Sequence, residues 1–202
     1  ARSAGATNDR PREAARMSQD LVDPKKPIER PVWVQGINDE GRLWQHAHML
    51  GEMVPLDEPS LLASARRMTG LDDFGEDDWR EPFRVLIKSL EEEAQLNLMG
   101  RLATRSELVL WLRTRLMLTD LLKRHPEILE QPVEKPIFIA GLGRSGTSIL
   151  QELLHQDPAL RTPLFWEAYF PVDSALSGGA DACAQKAGHD IATQWTRVTP
   201  QI

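Results

Sequence analysis

The most constraining feature of the sequence is a short apolar run followed by a glycine-rich turn, at residues 136–150. Residues 137–140 are Ile-Phe-Ile-Ala, which is typical of a buried strand of a parallel sheet. Gly141, Gly143 and Gly146 follow, and glycine permits positive φ and a close approach of the backbone to a ligand. Apolar residues then recur with helical spacing at positions 149, 150, 153 and 154. The stretch therefore predicts a strand, a tight loop and a helix whose first N–H groups point at an anion.

Three phosphate-binding patterns overlap in this loop. Its glycines match the G-x-G-x-x-G dinucleotide fingerprint, with Glu167 about 20 residues further on. The spacing Gly141-x4-Gly146 also matches a Walker A loop, except that Thr147 replaces the lysine. The third pattern is the run Arg-Ser-Gly-Thr-Ser at residues 144–148, in which Arg144 supplies a guanidinium suited to bidentate contact. We favour the third pattern, because a bulky arginine is awkward in a dinucleotide turn and Thr147 cannot supply the lysine charge.

This run resembles the 5′-phosphosulfate loop of sulfotransferases that use 3′-phosphoadenosine 5′-phosphosulfate (PAPS), in which Lys or Arg precedes Ser-Gly-(Thr/Ser)-(Thr/Ser). Three flanking pairs agree with that family: Asp157-Pro158, Thr162-Pro163 and Trp166-Glu167. The segments 69–75 and 86–100 are similar to the helical lead-in of a bacterial branch of the family, whose members act on small hydroxylated acceptors. The resemblance extends from residue 30 to the C-terminal end of the sequence.

The resemblance implies an α/β fold, with a P-loop-NTPase-like parallel sheet flanked by helices and preceded by an all-helical lead-in. We predict a flexible N-terminal tail at residues 1–30, a helical lead-in or lid region at 31–131, and the start of the α/β domain at 132–202. Residues 160–172 are expected to be extended or irregular and to hold a second strand at most. Since a parallel sheet needs several strands, we expect the sheet to be incomplete in this chain, which is similar to the N-terminal part of the family.

The resemblance also implies roles for individual residues. Arg144 is the candidate cation that stabilises the leaving group, and Glu167 is the candidate general base, with an ordinary capping role as its alternative. His155 is a weaker candidate base because it lies at the far end of the loop helix. Residues that hold the 3′-phosphate are expected beyond residue 202, and no metal is required. The residues expected to bind the 5′-phosphosulfate of PAPS are Gly143, Arg144, Ser145, Gly146, Thr147 and Ser148.

The expected function is transfer of a sulfuryl group from PAPS to a hydroxyl of a small-molecule acceptor. The aromatic residues after the loop helix predict either an apolar pocket for a lipid-like or phenolic acceptor, or simple packing. The alternative function is a P-loop nucleotide-dependent kinase or NTPase, which requires magnesium and an Asp at the end of a later strand. A Rossmann oxidoreductase and a helical partner-binding module with a degenerate loop are two further alternatives. The aromatic residues are Phe165, Trp166, Tyr169 and Phe170.

Composition narrows the class of protein. A net charge of −6 argues against a general nucleic-acid binder. The single cysteine, Cys183, excludes an internal disulfide and suits a reducing compartment, so we predict a cytoplasmic protein. Residues 108–122 are very apolar, but three charged residues interrupt them, so they predict a core helix instead of a membrane span. The acidic run at 72–78 lacks the spacing of a calcium loop, and we expect it to cap a helix and face solvent.

Apolar periodicity and helix end signals predict five further helices. They are residues 38–51; a helix from the Asp57 cap to Gly70; residues 79–94, ended by Gly100; a helix from the capping box Thr104-x-x-Glu107 to Arg124; and a helix from the Asp181 cap to Trp195.

Overall fold

The computed structural model describes residues 29–142, 145–176 and 182–198, so most of the predicted tail lies outside the described residues. The described residues form helices and connecting segments, and they include no strand. Two 3-10 helices span Asp77–Trp79 and Pro126–Glu130. The α-helices are α1 (Val32–His46), α2 (Leu50–Met53), α3 (Glu58–Thr69), α4 (Arg80–Glu92), α5 (Leu98–Arg124), α6 (Thr147–Leu154), α7 (Phe165–Tyr169), α8 (Pro171–Leu176) and α9 (Ala182–Val198).

The main core lies between α3 and α5. Leu61 and Ala65 of α3 and Leu116 of α5 are fully buried, and the predicted apolar face of α4 packs partly buried against them. Burial of one leucine side chain stabilises a fold by about 1.5–3 kcal/mol, so this interface is a large part of the stability of the lead-in. A smaller cluster joins Leu50 and Leu98 where α2 meets the beginning of α5.

The ends of α3 are as predicted. The Asp57 carboxylate accepts a hydrogen bond from the Ser60 N–H at 2.9 Å, which caps the first turn. Gly70 follows the last turn with φ +70°, the left-handed conformation that favours glycine at a helix end. Both signals were local, and no tertiary contact overrode them.

The predicted beginning of α5 is wrong, although its end is confirmed. The helix begins at Leu98, because Asn97 caps it by accepting the Gly100 N–H at 2.8 Å. Gly100 therefore lies in the first turn of α5 and does not end α4, which stops at Glu92. Thr104 lies inside the helix instead of at its cap. The end at Arg124, before His125-Pro126, follows from the restriction that proline places on the preceding residue.

The helix predicted at residues 38–51 begins earlier and is broken in two. Pro31 precedes α1, and its carbonyl accepts the Gln35 N–H at 3.0 Å, which closes the first turn. The positive φ of His48, +56°, interrupts the chain between α1 and α2. Asn38 is buried and accepts the Met99 N–H at 3.1 Å, so α1 is anchored on the beginning of α5.

The acidic run at 72–78 forms ion pairs with α3, α4 and α5. Asp72 pairs with Arg66 at 3.3 Å, Asp78 pairs with Arg115 at 3.2 Å, and Asp73 pairs with Lys123. The hydrogen bond from Lys123 holds the pKa of the Asp73 carboxyl below its usual value. Within the described part of the chain, no group of three or more His, Cys, Asp and Glu residues is arranged to hold a metal ion. The run thus ties a loop to basic helices, a role that the sequence analysis did not predict.

The expected strand at 137–140 is an extended segment without a partner strand among the described residues. Most of its side chains are exposed, with Phe138 at 87%, whereas Ile139 is half-buried. A strand gains its backbone hydrogen bonds and one covered face from neighbouring strands, and the described chain supplies none. The sheet of the predicted fold class is therefore not shown by the described residues, and the domain boundary at 131–132 stays a prediction.

Residues 160–172 were expected to be extended or irregular, but they contain α7 and the beginning of α8. The Glu167 carboxylate accepts the Leu164 N–H at 2.8 Å, and the rings of Phe165 and Tyr169 stack one turn apart with centroids 4.5 Å apart. Both interactions need helical spacing, so they favour a helix over a strand.

The last helix, α9, ends at Val198, three residues after the predicted end. Its predicted cap, Asp181, lies outside the described residues. α9 packs closely on α7, because a Cβ added to Gly188 would lie 2.5 Å from the Trp166 Cβ. Among the helices that the structure describes, none has the length and apolar content that a membrane span needs.

Candidate anion-binding loop

The loop before α6 folds back on itself. The Ser145 N–H donates to the Leu142 carbonyl at 3.2 Å, which holds these two described residues together. A Cβ added to Gly141 would lie 2.6 Å from the Ser145 Oγ and 3.0 Å from the Thr147 Cγ2. A larger residue at position 141 would therefore require the Ser145 and Thr147 side chains to move.

Gly146 sets the direction in which α6 begins. Its φ of +91° lies in the region that side-chain-bearing residues rarely adopt, and its carbonyl accepts the Leu150 N–H at 3.0 Å. Gly146 has no side chain to cap the helix, so the first-turn N–H groups of α6 receive no side-chain cap. The positive end of the helix dipole adds to these donors, and the combination is suited to an anion.

Three hydroxyl groups surround this helix end. Ser145 and Ser148 are exposed and Thr147 is half-buried. None of the three hydroxyls forms a hydrogen bond with another described residue. Four of the six predicted binding residues lie together at one helix end: Ser145, Gly146, Thr147 and Ser148. Gly143 and Arg144 lie outside the described residues, so their roles stay predictions.

Glu167 occupies the first turn of α7 with its carboxylate already engaged. It accepts the Leu164 N–H at 2.8 Å and forms an ion pair with Arg161 at 2.9 Å, and its side chain is only 14% exposed. This is the capping role that we gave as the alternative. Both partners belong to the preceding segment and neither is a loop hydroxyl, so the role of general base stays a prediction.

His155 lies at the opposite end of α6 from the loop. α6 has eight residues, and at a rise of 1.5 Å per residue the two ends are about 12 Å apart. The imidazole Nδ1 contacts the Thr162 hydroxyl at 2.8 Å, so the ring is engaged with the segment that leads to α7. Both observations agree with its lower rank as a base.

The aromatic residues after α6 divide into packed and exposed ones. Phe170 is buried and Trp166 lies against α9, which favours the packing interpretation for both. Phe165 is 46% exposed and stacks on Tyr169. Burial raises the pKa of the Tyr169 phenol, and the charge of Glu107 on α5 acts in the same direction. The segment therefore packs partly on the lead-in, a contact that no sequence pattern indicated.

The tie between the lead-in and α8 is polar as well as apolar. Arg113 of α5 pairs with Asp173 of α8 at 3.5 Å, and Val172 beside it is buried. The sequence analysis noted Arg113 only as a charge that interrupts an apolar run. An arginine inside such a run is a signal for a buried or half-buried ion pair, because the charge needs a partner there.

The apolar residues that recur with helical spacing in α6 are not covered by the described residues. Ile149 is 69% exposed and Leu153 is 64% exposed. The exposed side chains of residues 137–138 lie in the same part of the chain. Exposed apolar patches often mark interaction surfaces, and no described residue covers this one.

The helices of the lead-in, followed by the candidate anion-binding loop and α6, are similar to part of a sulfotransferase fold. Among solved structures, the chain resembles sulfotransferase STF1 from Mycobacterium tuberculosis H37Rv, with 33% sequence identity and a TM-score of 0.58. The match covers 71% of this chain and 40% of that protein, so the chain spans less than half the length of STF1. No family model matches the chain, and no curated protein matches it. The likeness supports the predicted sulfotransferase-like class of fold.

Proposed function

We propose that the protein transfers a sulfuryl group from PAPS to a hydroxyl of a small-molecule acceptor. One observation carries this proposal: α6 begins at a glycine with φ +91°, without a side-chain cap, and the three hydroxyls around it have no hydrogen-bond partner among the described residues. The 33% identity to a sulfotransferase supports the same activity.

The loop has the chemistry that a phosphosulfate requires. The sulfuryl and 5′-phosphate oxygens are strong acceptors, and the loop offers backbone N–H groups and the hydroxyls of Ser145, Thr147 and Ser148. Gly141 has no Cβ, and this makes room for the Ser145 side chain beside it. Arg144 would add the positive charge, in a fork that binds two oxygens of one phosphate.

The proposed reaction is a single displacement at sulfur. The acceptor oxygen bonds to sulfur while the bond from sulfur to the 5′-phosphate oxygen breaks, and adenosine 3′,5′-bisphosphate leaves. Arg144 and the loop donors stabilise the negative charge that develops on the leaving phosphate. Glu167 takes the acceptor proton, and a carboxylate with two partners still has lone pairs for a third hydrogen bond.

Calorimetric titration with adenosine 3′,5′-bisphosphate tests the proposal. We expect saturable binding without added metal, weakened by about 10–100-fold in Arg144→Ala, because one charge-assisted pair of hydrogen bonds is lost. Arg124→Ala is the matched control, since it removes the same charge from the exposed last turn of α5. Equal weakening in both variants would show a general charge effect and not a loop site.

Parallel titrations with magnesium ATP and NADH separate the proposal from its alternatives. Preference for magnesium ATP would replace it with the P-loop kinase or NTPase, and preference for NADH with the oxidoreductase. A folded protein that binds none of the three would favour the partner-binding module. If the bisphosphate binds, lipid-like and phenolic hydroxyl compounds are then screened with sulfur-labelled PAPS to find the acceptor.

A further inference from the structure

A second cluster of hydrogen-bond donors lies between α3 and α5, outside the residues that the proposed reaction uses. Arg105 of α5 donates to the Pro55 carbonyl, to the Ser60 Oγ at 3.0 Å and to the Ser64 Oγ at 2.9 Å. Arg67 of α3 donates to the same Ser64 Oγ at 3.1 Å. One serine hydroxyl therefore accepts from two guanidinium groups. We call these four residues, Ser60, Ser64, Arg67 and Arg105, the arginine–serine cluster.

The cluster concentrates positive charge without a carboxylate partner. Arg66, beside Arg67, pairs with Asp72, and Arg101, one turn before Arg105, pairs with Glu91 at 2.6 Å. In the described part of the chain, neither Arg67 nor Arg105 forms an ion pair with a carboxylate. Since both contact one oxygen atom, their guanidinium groups lie within about 6 Å of each other, where like charges repel.

The environment of Arg105 increases that repulsion. Its side chain is half-buried, and burial lowers the pKa of its guanidinium. The charge of Asp57 opposes this shift, and the charge of Arg67 adds to it. The Asp57 carboxylate caps the Ser60 N–H and forms no ion pair with Arg105 among the described residues. Its single negative charge therefore offsets the two guanidinium charges of the cluster only in part.

Donors remain for a ligand. A guanidinium has five N–H groups, of which the bonds to described residues use three in Arg105 and one in Arg67. Arg67 is exposed, so a ligand reaches it from solvent. The two planar forks and the Ser60 hydroxyl match the several oxygens of a tetrahedral oxyanion better than one carboxylate.

We propose that the arginine–serine cluster is a binding site for a phosphate group, as the free ion or as a monoester. The bound phosphate adds negative charge beside the two guanidinium groups and bridges α3 to α5. The site is independent of the proposed sulfuryl transfer, because it rests on none of the loop residues.

Inorganic phosphate is the probe, at constant ionic strength maintained with chloride. All titrations use the full protein carrying Arg144→Ala, so that binding at the candidate loop is weakened and dependence on Arg67 identifies the cluster. We expect saturable phosphate binding that Arg67→Gln weakens by about tenfold, the loss of one charge-assisted contact. The control Arg42→Gln removes the same charge from another exposed helical site, which pairs with Asp39, and it should leave binding unchanged. Circular dichroism verifies that each variant is folded.

Glycerol 3-phosphate distinguishes the two sources of the phosphate group. Tighter binding than inorganic phosphate, with the same dependence on Arg67, identifies a monoester as the ligand. Equal binding identifies the free ion. Absence of saturable binding in the Arg144→Ala background, or the same affinity in Arg67→Gln and Arg42→Gln, would overturn the proposal.

Discussion

The lead-in (residues 31–131) and the loop unit, by which we mean residues 137–142 and α6, differ in how they use apolar residues. In the lead-in, α3 and α5 bury their leucines against each other, and Leu116 is 0% exposed. In the loop unit, the extended segment at 137–142 and α6 leave their apolar side chains in solvent. The two regions have similar patterns of apolar residues, yet only one of them is covered among the described residues.

This difference leads us to expect that stability depends mainly on the lead-in and ligand binding on the loop unit. Helices joined by short loops bury their apolar faces against neighbours that are close in sequence, so the helices of the lead-in cover one another. A strand–loop–helix unit needs additional strands on both sides, and its glycines and hydroxyls contribute donors instead of packing. We therefore expect core substitutions to affect unfolding and loop substitutions to affect ligand binding.

The largest effect should come from truncating the core. Leu116→Ala removes a fully buried side chain and is expected to lower the free energy of unfolding by about 2–5 kcal/mol. The matched change in the loop unit, Leu153→Ala, should cost less than about 0.5 kcal/mol because its side chain is 64% exposed. Urea unfolding followed by circular dichroism measures both. Similar costs for the two variants would mean that α6 is covered in solution.

A loop glycine should show the reverse behaviour. Gly141→Ala places a methyl group 2.6 Å from the Ser145 Oγ and 3.0 Å from the Thr147 Cγ2, so these two side chains must move from their positions at the helix end. We expect the affinity for adenosine 3′,5′-bisphosphate to fall by about tenfold or more, with thermal stability little changed. The control is Gly36→Ala in α1, where the added methyl group meets nothing within 4 Å. Unchanged affinity in Gly141→Ala would exclude this loop as the nucleotide site.

Removing a helix cap should have a smaller effect, confined to stability. Asp57→Ala deletes the acceptor of the Ser60 N–H and is expected to cost about 1 kcal/mol. Asp39→Ala removes an exposed acid of α1 and should change stability by less than about 0.5 kcal/mol. Thermal unfolding of both variants provides the comparison. A cost for Asp57→Ala no greater than for the control would mean that α3 does not depend on this cap.

The smallest effect concerns pH. The hydrogen bond from Arg101 holds the pKa of the Glu91 carboxyl below its usual value, and burial opposes that shift. Because the folded-state pKa is lowered, the stabilisation is present above the ordinary carboxyl pKa and is lost as pH falls through the lowered value. The Glu91 side chain is 37% exposed, so the pair is worth at most about 1 kcal/mol.

Urea unfolding at several pH values between neutrality and strong acid measures this contribution. Glu91→Gln should be less stable than the unchanged protein at neutral pH and should approach it in acid. A constant difference across the whole range would mean that the pair contributes through packing and not through its charges.

The local end signals that the sequence predicted correctly were those without competition. Asp57 and Gly70 bracket α3, and Pro126 follows α5, because each acts on its own backbone within one turn. Where two signals competed, the sequence analysis chose the wrong one: Asn97, and not Thr104, caps α5. Both residue types are good caps, and the contact of Asn38 with Met99 adds a tertiary contact at the beginning of that helix.

The candidate site divides in the same way. The positive φ of Gly146 and the helix that follows it were predictable, since that conformation favours glycine. Anion binding by the loop stays a prediction. The tie of Glu167 to Arg161 and the double contact on Ser64 were not, because they join side chains whose approach no local pattern encodes.

The sequence by itself determined the helices of the lead-in, the glycine-initiated helix α6 and the resemblance to a sulfotransferase loop. Only the tertiary structure decided that residues 165–169 are helical and that α8 lies on α5 through Arg113. It also decided which arginines receive a carboxylate. The physical reason is range: caps, turns and periodicity act within a few residues, whereas burial and charge pairing depend on elements that are distant in sequence.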